Sequence, residues 1–133
     1  MGVPVALLVG IGLVFAVFIG LNLIMSRLSK RMEGQPVPSL EADAAKIASD
    51  EKPSLFYFHS PHCGPCKAMT PHLKAMKAAN QPVVIVDVSR DMETAQKFGV
   101  MGTPTVMRVR GGQVEKVLMG AQSAAALQAL LAA

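Results

Sequence analysis

An uncharged apolar run near the start of the chain limits what the whole sequence can fold into. Between Val3 and Met25 no residue is charged, and Asn22 is the only strongly polar one. A helix of that length extends about 34 Å, which is enough to cross a hydrocarbon core of about 30 Å. We therefore predict a transmembrane helix that contacts the lipid bilayer through residues 3–25. The remaining residues, about 100 in number, can form one small soluble domain.

The run has the properties of a retained anchor rather than a cleaved signal peptide. A signal peptide has a basic start, a shorter apolar stretch and a small-x-small cleavage site. Here no Lys or Arg precedes the run, the run is longer, and "LNLIMSRLSKR" at its end offers no Ala-x-Ala site. Arg27, Lys30 and Arg31 directly follow the run. The positive-inside rule therefore predicts a single-pass protein, which we assign to a bacterial inner membrane, with its domain on the cytoplasmic side. The periplasmic side is the alternative.

Composition divides the chain into three segments. Gly34 breaks a helix, and Pro36 and Pro38 favour extended backbone around them, so this stretch has the character of a linker. Beyond it the charges are nearly balanced, and no basic run alternates with aromatic residues, which argues against a nucleic-acid partner. We predict an anchor with its basic flank, a linker and a domain over residues 1–31, 32–39 and 40–133.

Periodicity within the domain predicts alternating helices and strands. "SLFYFH" (54–59) and the β-branched "VVIVDV" (83–88) are typical of buried strands. Gly111 and Gly112 form a two-residue hairpin signal between two further strands. The predicted helices are one capped by Ser39, one kinked at Pro71, and two over 91–99 and 122–133. The order α-β-α-β-α-β-β-α predicts an α/β domain with a partly parallel sheet, an antiparallel edge and helices on both faces.

The two cysteines of the chain lie in "CGPC", where a strand-like run changes into a helix-like one. The unpaired N–H groups and the dipole at a helix N-terminus favour a thiolate, which makes Cys63 the candidate nucleophile. Cys66 lies one helical turn later, a separation that suits a small disulfide ring and the resolution of a mixed disulfide. Gly64 and Pro65 keep the ring tight and the helix start unobstructed.

Other readings of the cysteine pair fit less well. A structural zinc site needs about four ligands, and one CxxC clip would have to recruit His59, His62 or His72. A haem tether needs histidine directly after the second cysteine, where Lys67 stands. Dithiol redox chemistry is therefore favoured, without a metal or other bound cofactor. A metal-binding or metallochaperone module and a redox-inactive docking domain are the alternatives.

Several motifs together resemble the thioredoxin family over roughly residues 40–133. They are "CGPCK" after an aromatic strand, a proline five residues beyond the second cysteine, "FGVMGTPTV", and "RGGQVEKVLMGA" before a final helix. The resemblance implies a thioredoxin-like fold with a mixed four-stranded sheet, here preceded by a transmembrane helix. It also implies a thiol-disulfide oxidoreductase that acts as a protein disulfide reductase, with protein disulfides as substrates and another thiol protein as electron donor or acceptor.

The resemblance also assigns roles to single residues. It implies a redox-active disulfide between Cys63 and Cys66, and a cis bond between Thr103 and Pro104 beside that disulfide. Met101, Thr103 and Pro104 would then line a groove in which an extended substrate pairs its backbone.

Four positions depart from the usual family pattern. His59 and His62 stand where the family has tryptophans, while Tyr57 and Ile85 stand where it has a buried acid and its lysine partner. The family's first strand is absent or shortened, since only "PVPSL" could supply it. We therefore expect His62, as an imidazolium, to favour the Cys63 thiolate. Tyr57 and Lys67 are the other candidates for tuning the pair.

Overall fold

The computed structural model describes residues 2–132 as one long helix followed by an α/β domain. The elements in chain order are α1 (Val5–Ser29), α2 (Ala42–Ser49), β1 (Ser54–His59), α3 (Gly64–Ala78), β2 (Val83–Asp87), α4 (Met92–Lys97), β3 (Thr105–Arg110), β4 (Gln113–Met119) and α5 (Ala124–Ala132). The element order predicted for the domain is confirmed.

The four strands form one mixed sheet in the order β2-β1-β3-β4. The central strand β1 runs parallel to β2 and antiparallel to β3, with Phe58 opposite Thr105. β3 and β4 form the antiparallel hairpin around Gly111 and Gly112, both of which have the positive φ that this turn requires. The predicted combination of a parallel part and an antiparallel edge is therefore confirmed.

Helices cover both faces of the sheet, and the alternation along β1 directs its side chains to two different cores. Phe56 and Phe58 face a cluster that includes Phe98 and is covered by α2 and α4; we call this the aromatic face. Leu55 and Tyr57 face a second cluster, covered by α3 and α5, which we call the thiol face. The main contributions of the two helices to the thiol face are Met69, Leu73, Met76, Leu127 and Leu130.

The helix α3 begins immediately after Cys63 and continues through Pro71. Pro65 occupies the first turn, where its missing N–H costs no hydrogen bond. The helix ends close to the predicted stop, because Asn80 adopts a left-handed conformation with φ of 60°.

The helix α2 starts later than the sequence indicates. Ser39 was the predicted cap, but the N-cap position is Glu41, whose side chain makes no capping hydrogen bond. The reason lies just upstream, where Val37 N donates to Gly112 O at 2.8 Å and holds the chain in an extended path.

The segment expected to be a linker is attached to the sheet. Residues 32–37, which we call the strap, lie along the free edge of β4. Gly34 N donates to Val114 O at 2.7 Å, and Val114 N donates to Gln35 O at 2.9 Å. Within residues 2–132, "PVPSL" therefore supplies a bridge to Gln113 of β4, and β2 is left as the opposite border of the sheet.

The helix α1 is long and apolar enough to cross a membrane by length and composition. None of its residues is buried against the domain.

Candidate active site

The two cysteines form a disulfide at the N-terminus of α3. The S–S distance is 2.12 Å and the two Cα atoms lie 5.2 Å apart. Cys66 is 1% exposed and Cys63 is 9% exposed. Cys63 is therefore the more exposed of the two cysteines, and Cys66 is almost fully buried.

The backbone around the disulfide is arranged to support negative charge on Cys63. The chain leaves β1 at His59 and turns tightly, with Cys63 N donating to Ser60 O at 3.2 Å. Cys63 is the N-cap of α3, and its Sγ accepts a hydrogen bond from Cys66 N at 3.3 Å. The same N–H, together with the helix dipole, would stabilise a thiolate at that position.

A proline loop lies at the same end of the sheet as the disulfide. The bond between Thr103 and Pro104 is cis, as the family resemblance implies. Because Phe58 pairs with Thr105, the preceding Pro104 lies level with His59, from which the chain passes to Cys63. The carbonyl of Pro104 accepts from Gly120 N at 2.8 Å, which ties the loop to the end of β4.

The three predicted groove residues differ in exposure. Met101 is 47% exposed, Thr103 is half-buried, and Pro104 is buried. From Met101 to Pro104, exposure to solvent therefore decreases along the loop at the disulfide end of the sheet.

Tyr57 lies beneath α3 on the thiol face and is fully buried. Its hydroxyl donates to the backbone carbonyl of Cys66 at 3.4 Å and lies 3.0 Å from Thr70 Oγ1. Burial raises the pKa of Tyr57 above its ordinary value, because the phenolate would lose its water, and the hydrogen bond with Thr70 offsets part of that effect. The hydrogen bond from Tyr57, one of the candidates for tuning the pair, is therefore made to the backbone carbonyl of Cys66.

A cleft of about 420 Å³ opens beside Cys66, and among its lining residues Thr70 and Lys74 were not connected with the thiols in the sequence. His59 lines it from β1, and Thr70 and Lys74 line it from α3. The ring of His59 stacks on Tyr57 with centroids 5.3 Å apart and planes 15° apart. The period of two along β1 places His59 on the same face as Tyr57, at the active-site position that the family resemblance indicated.

The other predicted residues lie around this cleft or away from it. His62 is exposed in the turn before Cys63, Lys67 is exposed and lines the cleft, and His72 is exposed further along α3. Ile85 is half-buried on β2. In the described part of the chain, no group of three or more His, Cys, Asp or Glu side chains is placed to hold a metal ion.

This combination of elements defines a class. A buried strand leads through a short turn into a helix whose first turn holds a CxxC disulfide, with one cysteine more exposed than the other. The arrangement is that of a thiol-disulfide oxidoreductase.

Comparison with known proteins identifies the family within that class. The thioredoxin family model matches residues 39–133. A thioredoxin of Streptomyces clavuligerus is 40% identical over 91 residues, which is 67% of this chain and 82% of that protein. A thioredoxin of Alicyclobacillus acidocaldarius is 35% identical over 95 residues, covering 69% of this chain and 90% of the relative.

Solved structures give the same result. Malassezia sympodialis thioredoxin superposes with a TM-score of 0.57 and 27% identity, covering 73% of this chain and 91% of that one. Oxidised mitochondrial thioredoxin 3 of Saccharomyces cerevisiae gives a TM-score of 0.54 and 29% identity, covering 65% and 82%. The chain belongs to the thioredoxin family, whose members exchange disulfides with protein substrates and thiol reductants.

Proposed function

We propose that the protein is a membrane-anchored protein disulfide reductase that works through Cys63 and Cys66. The thiolate of Cys63 attacks a substrate disulfide, forms a mixed disulfide and expels the first substrate thiolate. Cys66, after losing its proton, attacks Cys63 Sγ and releases the second substrate thiolate. The substrate gains two electrons and two protons, and the protein is left with its internal disulfide, to be reduced again by another thiol protein.

The difference in burial between the two cysteines carries this assignment. Cys63 is the more exposed of the two, while Cys66 is almost fully buried one turn further along the same helix. The N–H of Cys66 already donates to Cys63 Sγ, so the stabilising group for a thiolate is in place. The groove residues Met101, Thr103 and Pro104 would receive the substrate backbone in an extended form.

The roles of the two sulfurs are tested by paired substitutions in the full-length protein. Cys63→Ser should lower the rate of reduction of a soluble disulfide peptide by at least about 100-fold, because the nucleophile is lost. Cys66→Ser should instead accumulate a mixed disulfide that added dithiothreitol releases. His72→Gln, on the exposed side of the same helix, is the control and should keep the wild-type rate. A Cys63→Ser variant that reduces the peptide normally would refute the proposal.

The proposal assigns residues 1–31 to an anchor with a basic flank and residues 40–133 to the catalytic domain. Support comes from the length and apolar character of α1 and from Arg27, Lys30 and Arg31 at its end. The basic flank favours a domain on the cytoplasmic side of a bacterial inner membrane. A membrane-impermeant thiol reagent applied to intact cells should then leave reduced Cys63 unlabelled until the cells are lysed. Labelling in intact cells would place the domain on the outer side.

His62 is proposed to tune the pair. It is exposed and directly precedes Cys63, so its imidazolium form would favour the thiolate and make the disulfide more oxidising. His62→Trp should lower the reduction potential, whereas the equally exposed His72→Trp should not. Potentials for His62→Trp and wild type that agree to within about 10 mV would end this part of the proposal. Lys67 and Tyr57 are secondary candidates, since one lines the cleft beside Cys66 and the other contacts its carbonyl.

A further inference from the structure

The strap brings the membrane-proximal part of the chain to the disulfide end of the sheet. Val37 is bonded to Gly112 at the start of the β4 edge, and Gly34 to Val114 further along it. Glu33 Oε1 accepts from Val117 N at 2.9 Å, further still towards Met119. Followed backwards towards α1, the chain therefore runs along β4 away from the hairpin turn.

The end of β4 that the strap approaches is the end that carries the active site. Met119 pairs with Thr105, and Thr105 pairs with Phe58. Two residues after Phe58, the chain has left β1 and entered the turn that precedes Cys63. Met32 packs against the aromatic face, and a Cβ added at Gly99 would lie 3.6 Å from Met32 Cγ. Gly99 is two residues before Met101 of the proposed groove.

Very little chain separates this attachment from the membrane helix. α1 ends at Ser29, and the next residues form hydrogen-bonded turns, with Arg31 N donating to Leu28 O at 3.2 Å and Glu33 N to Lys30 O at 3.0 Å. From Met25 to Ser29 the helix rises about 6 Å, and three further residues reach at most about 11 Å. The attachment point therefore lies within about 17 Å of the end of the apolar run.

The exposed large apolar side chains of the domain are flexible ones. Beyond α1, the exposed large hydrophobic side chains in the described residues are all methionines: Met92, Met101 and Met119. Met92 begins the helix that follows β2, and Met119 Sδ would lie 3.8 Å from a Cβ at Gly102. Flexible, polarizable methionine side chains suit a partner surface that is itself apolar.

We propose that the substrate of this site is a protein embedded in the same membrane, with its disulfide close to the membrane surface. The strap and the short tether hold the reachable sulfur near the bilayer, so soluble disulfides meet it less often than those presented at the membrane surface. The inference rests on the proposed function, because it needs both the anchor and the exchange reaction. The chemical step is unchanged, with two electrons passing from the Cys63–Cys66 dithiol to the disulfide of the membrane protein.

The experiment uses the pre-reduced full-length protein in liposomes and measures a single turnover. Two synthetic probes each consist of one membrane-spanning helix and one disulfide loop. In the near probe the loop directly follows the helix, and in the far probe a rigid helical spacer of about 20 residues raises it by about 30 Å. The matched variant carries a flexible Gly-Ser insert of about 20 residues between Arg31 and Met32, which gives a typical reach of about 25 Å and leaves the strap intact.

The wild-type protein should reduce the near probe at least tenfold faster than the far probe. The insert should bring the two rates to within about twofold of each other, since a longer tether relaxes the restriction on reach. A soluble disulfide peptide, reduced equally by both proteins, shows that the domain is folded and active. Equal rates on both probes for the wild type, or an unchanged rate ratio in the insert variant, would overturn the inference alone. A wild-type protein that reduces neither probe nor the soluble peptide would overturn the proposed function instead.

Discussion

The two faces of the sheet share the central strand β1 but have different compositions and different neighbours. On the aromatic face, Phe56 and Phe58 pack on Phe98 with ring centroids 5.5 Å and 5.2 Å apart. On the thiol face, Tyr57 brings a hydroxyl and His59 an imidazole under the helix that holds the disulfide. The aromatic face also receives Met32 and Val37 of the strap. The aromatic face thus stabilises the fold and holds the strap, while the thiol face places polar groups beside the two cysteines.

This division explains how a small domain can hold a reactive pair. Aromatic side chains bury large apolar areas in fixed geometry, which stabilises the fold without polar groups. The thiol face has Met69, Leu73 and Met76 around its polar groups, so its packing tolerates small changes near α3. We therefore expect substitutions on the aromatic face to alter stability and those on the thiol face to alter exchange chemistry.

The largest effect should come from Phe98→Ala. Because Phe98 is fully buried between Phe56 and Phe58, its truncation should lower the free energy of unfolding by about 3–5 kcal/mol. Phe98→Leu, which keeps most of the volume, should cost less than about 1.5 kcal/mol. Thermal unfolding of the detergent-solubilised full chain, followed by circular dichroism, measures both. If the rate of disulfide reduction per folded molecule also fell strongly, the separation between the faces would be wrong.

A smaller effect is expected from Glu33→Ala in the strap. The variant leaves Val117 N without its acceptor in a partly buried position, which should cost about 1–3 kcal/mol. Glu33→Gln keeps an oxygen acceptor at the same place and should retain most of the stability. The same unfolding experiment separates the two variants. A Glu33→Ala protein as stable as the Gln variant would show that the strap contributes little to the aromatic face.

On the thiol face, Tyr57→Phe should cost about 1 kcal/mol, because Thr70 and the carbonyl of Cys66 lose one hydrogen-bonding partner. Combining it with Thr70→Val should cost less than the sum of the two single changes, since both members of the pair are then apolar. Denaturant unfolding of the four proteins forms the double-mutant cycle. Strict additivity would indicate that the two hydroxyls do not interact.

The smallest effect concerns Asp91, the N-cap of α4, whose carboxylate accepts from Thr94 N at 3.0 Å. The hydrogen bonds from Thr94 lower the pKa of Asp91 below its ordinary value of 3.8. The ionised form is therefore favoured in the folded state, so its contribution is present above pH 3.8 and is lost as the pH falls through the folded pKa. Asp91→Asn keeps the cap without the charge.

The difference in stability between wild type and Asp91→Asn should thus be larger at about pH 7 than at about pH 2.5. Asp91→Ala, which removes the cap, should cost about 1 kcal/mol at neutral pH. Unfolding curves at the two pH values test this. A difference that does not change with pH would show that the carboxylate acts only as a hydrogen-bond acceptor.

Local patterns in the sequence predicted most of the fold. The alternation in "SLFYFH", the β-branched run after it and the Gly111–Gly112 turn each constrain backbone geometry within a few residues. The cysteine pair was also placed correctly at a helix N-terminus, because Pro65 and the change of periodicity are local signals.

Contacts between distant parts of the chain could not be predicted in the same way. Gly34, Pro36 and Pro38 indicate extended backbone, but this pattern is equally typical of a free linker and of a strap along β4. The choice depends on Val114 and Val117, about 80 residues away, where the matching donors and acceptors lie. The contact of Tyr57 with Thr70 likewise depends on how α3 packs on the sheet.

The strap also affects the tendency of this protein to aggregate. An uncovered sheet border offers free backbone donors and acceptors to a neighbouring molecule, which is a common route to aggregation. On the hairpin side, the groups of Gly112 and Val114 are already satisfied within the chain. The opposite border is the short strand β2, which ends at the charged residue Asp87 and is followed closely by Arg90. At high protein concentration, a strand from a neighbouring molecule would therefore not readily pair with either border of the sheet.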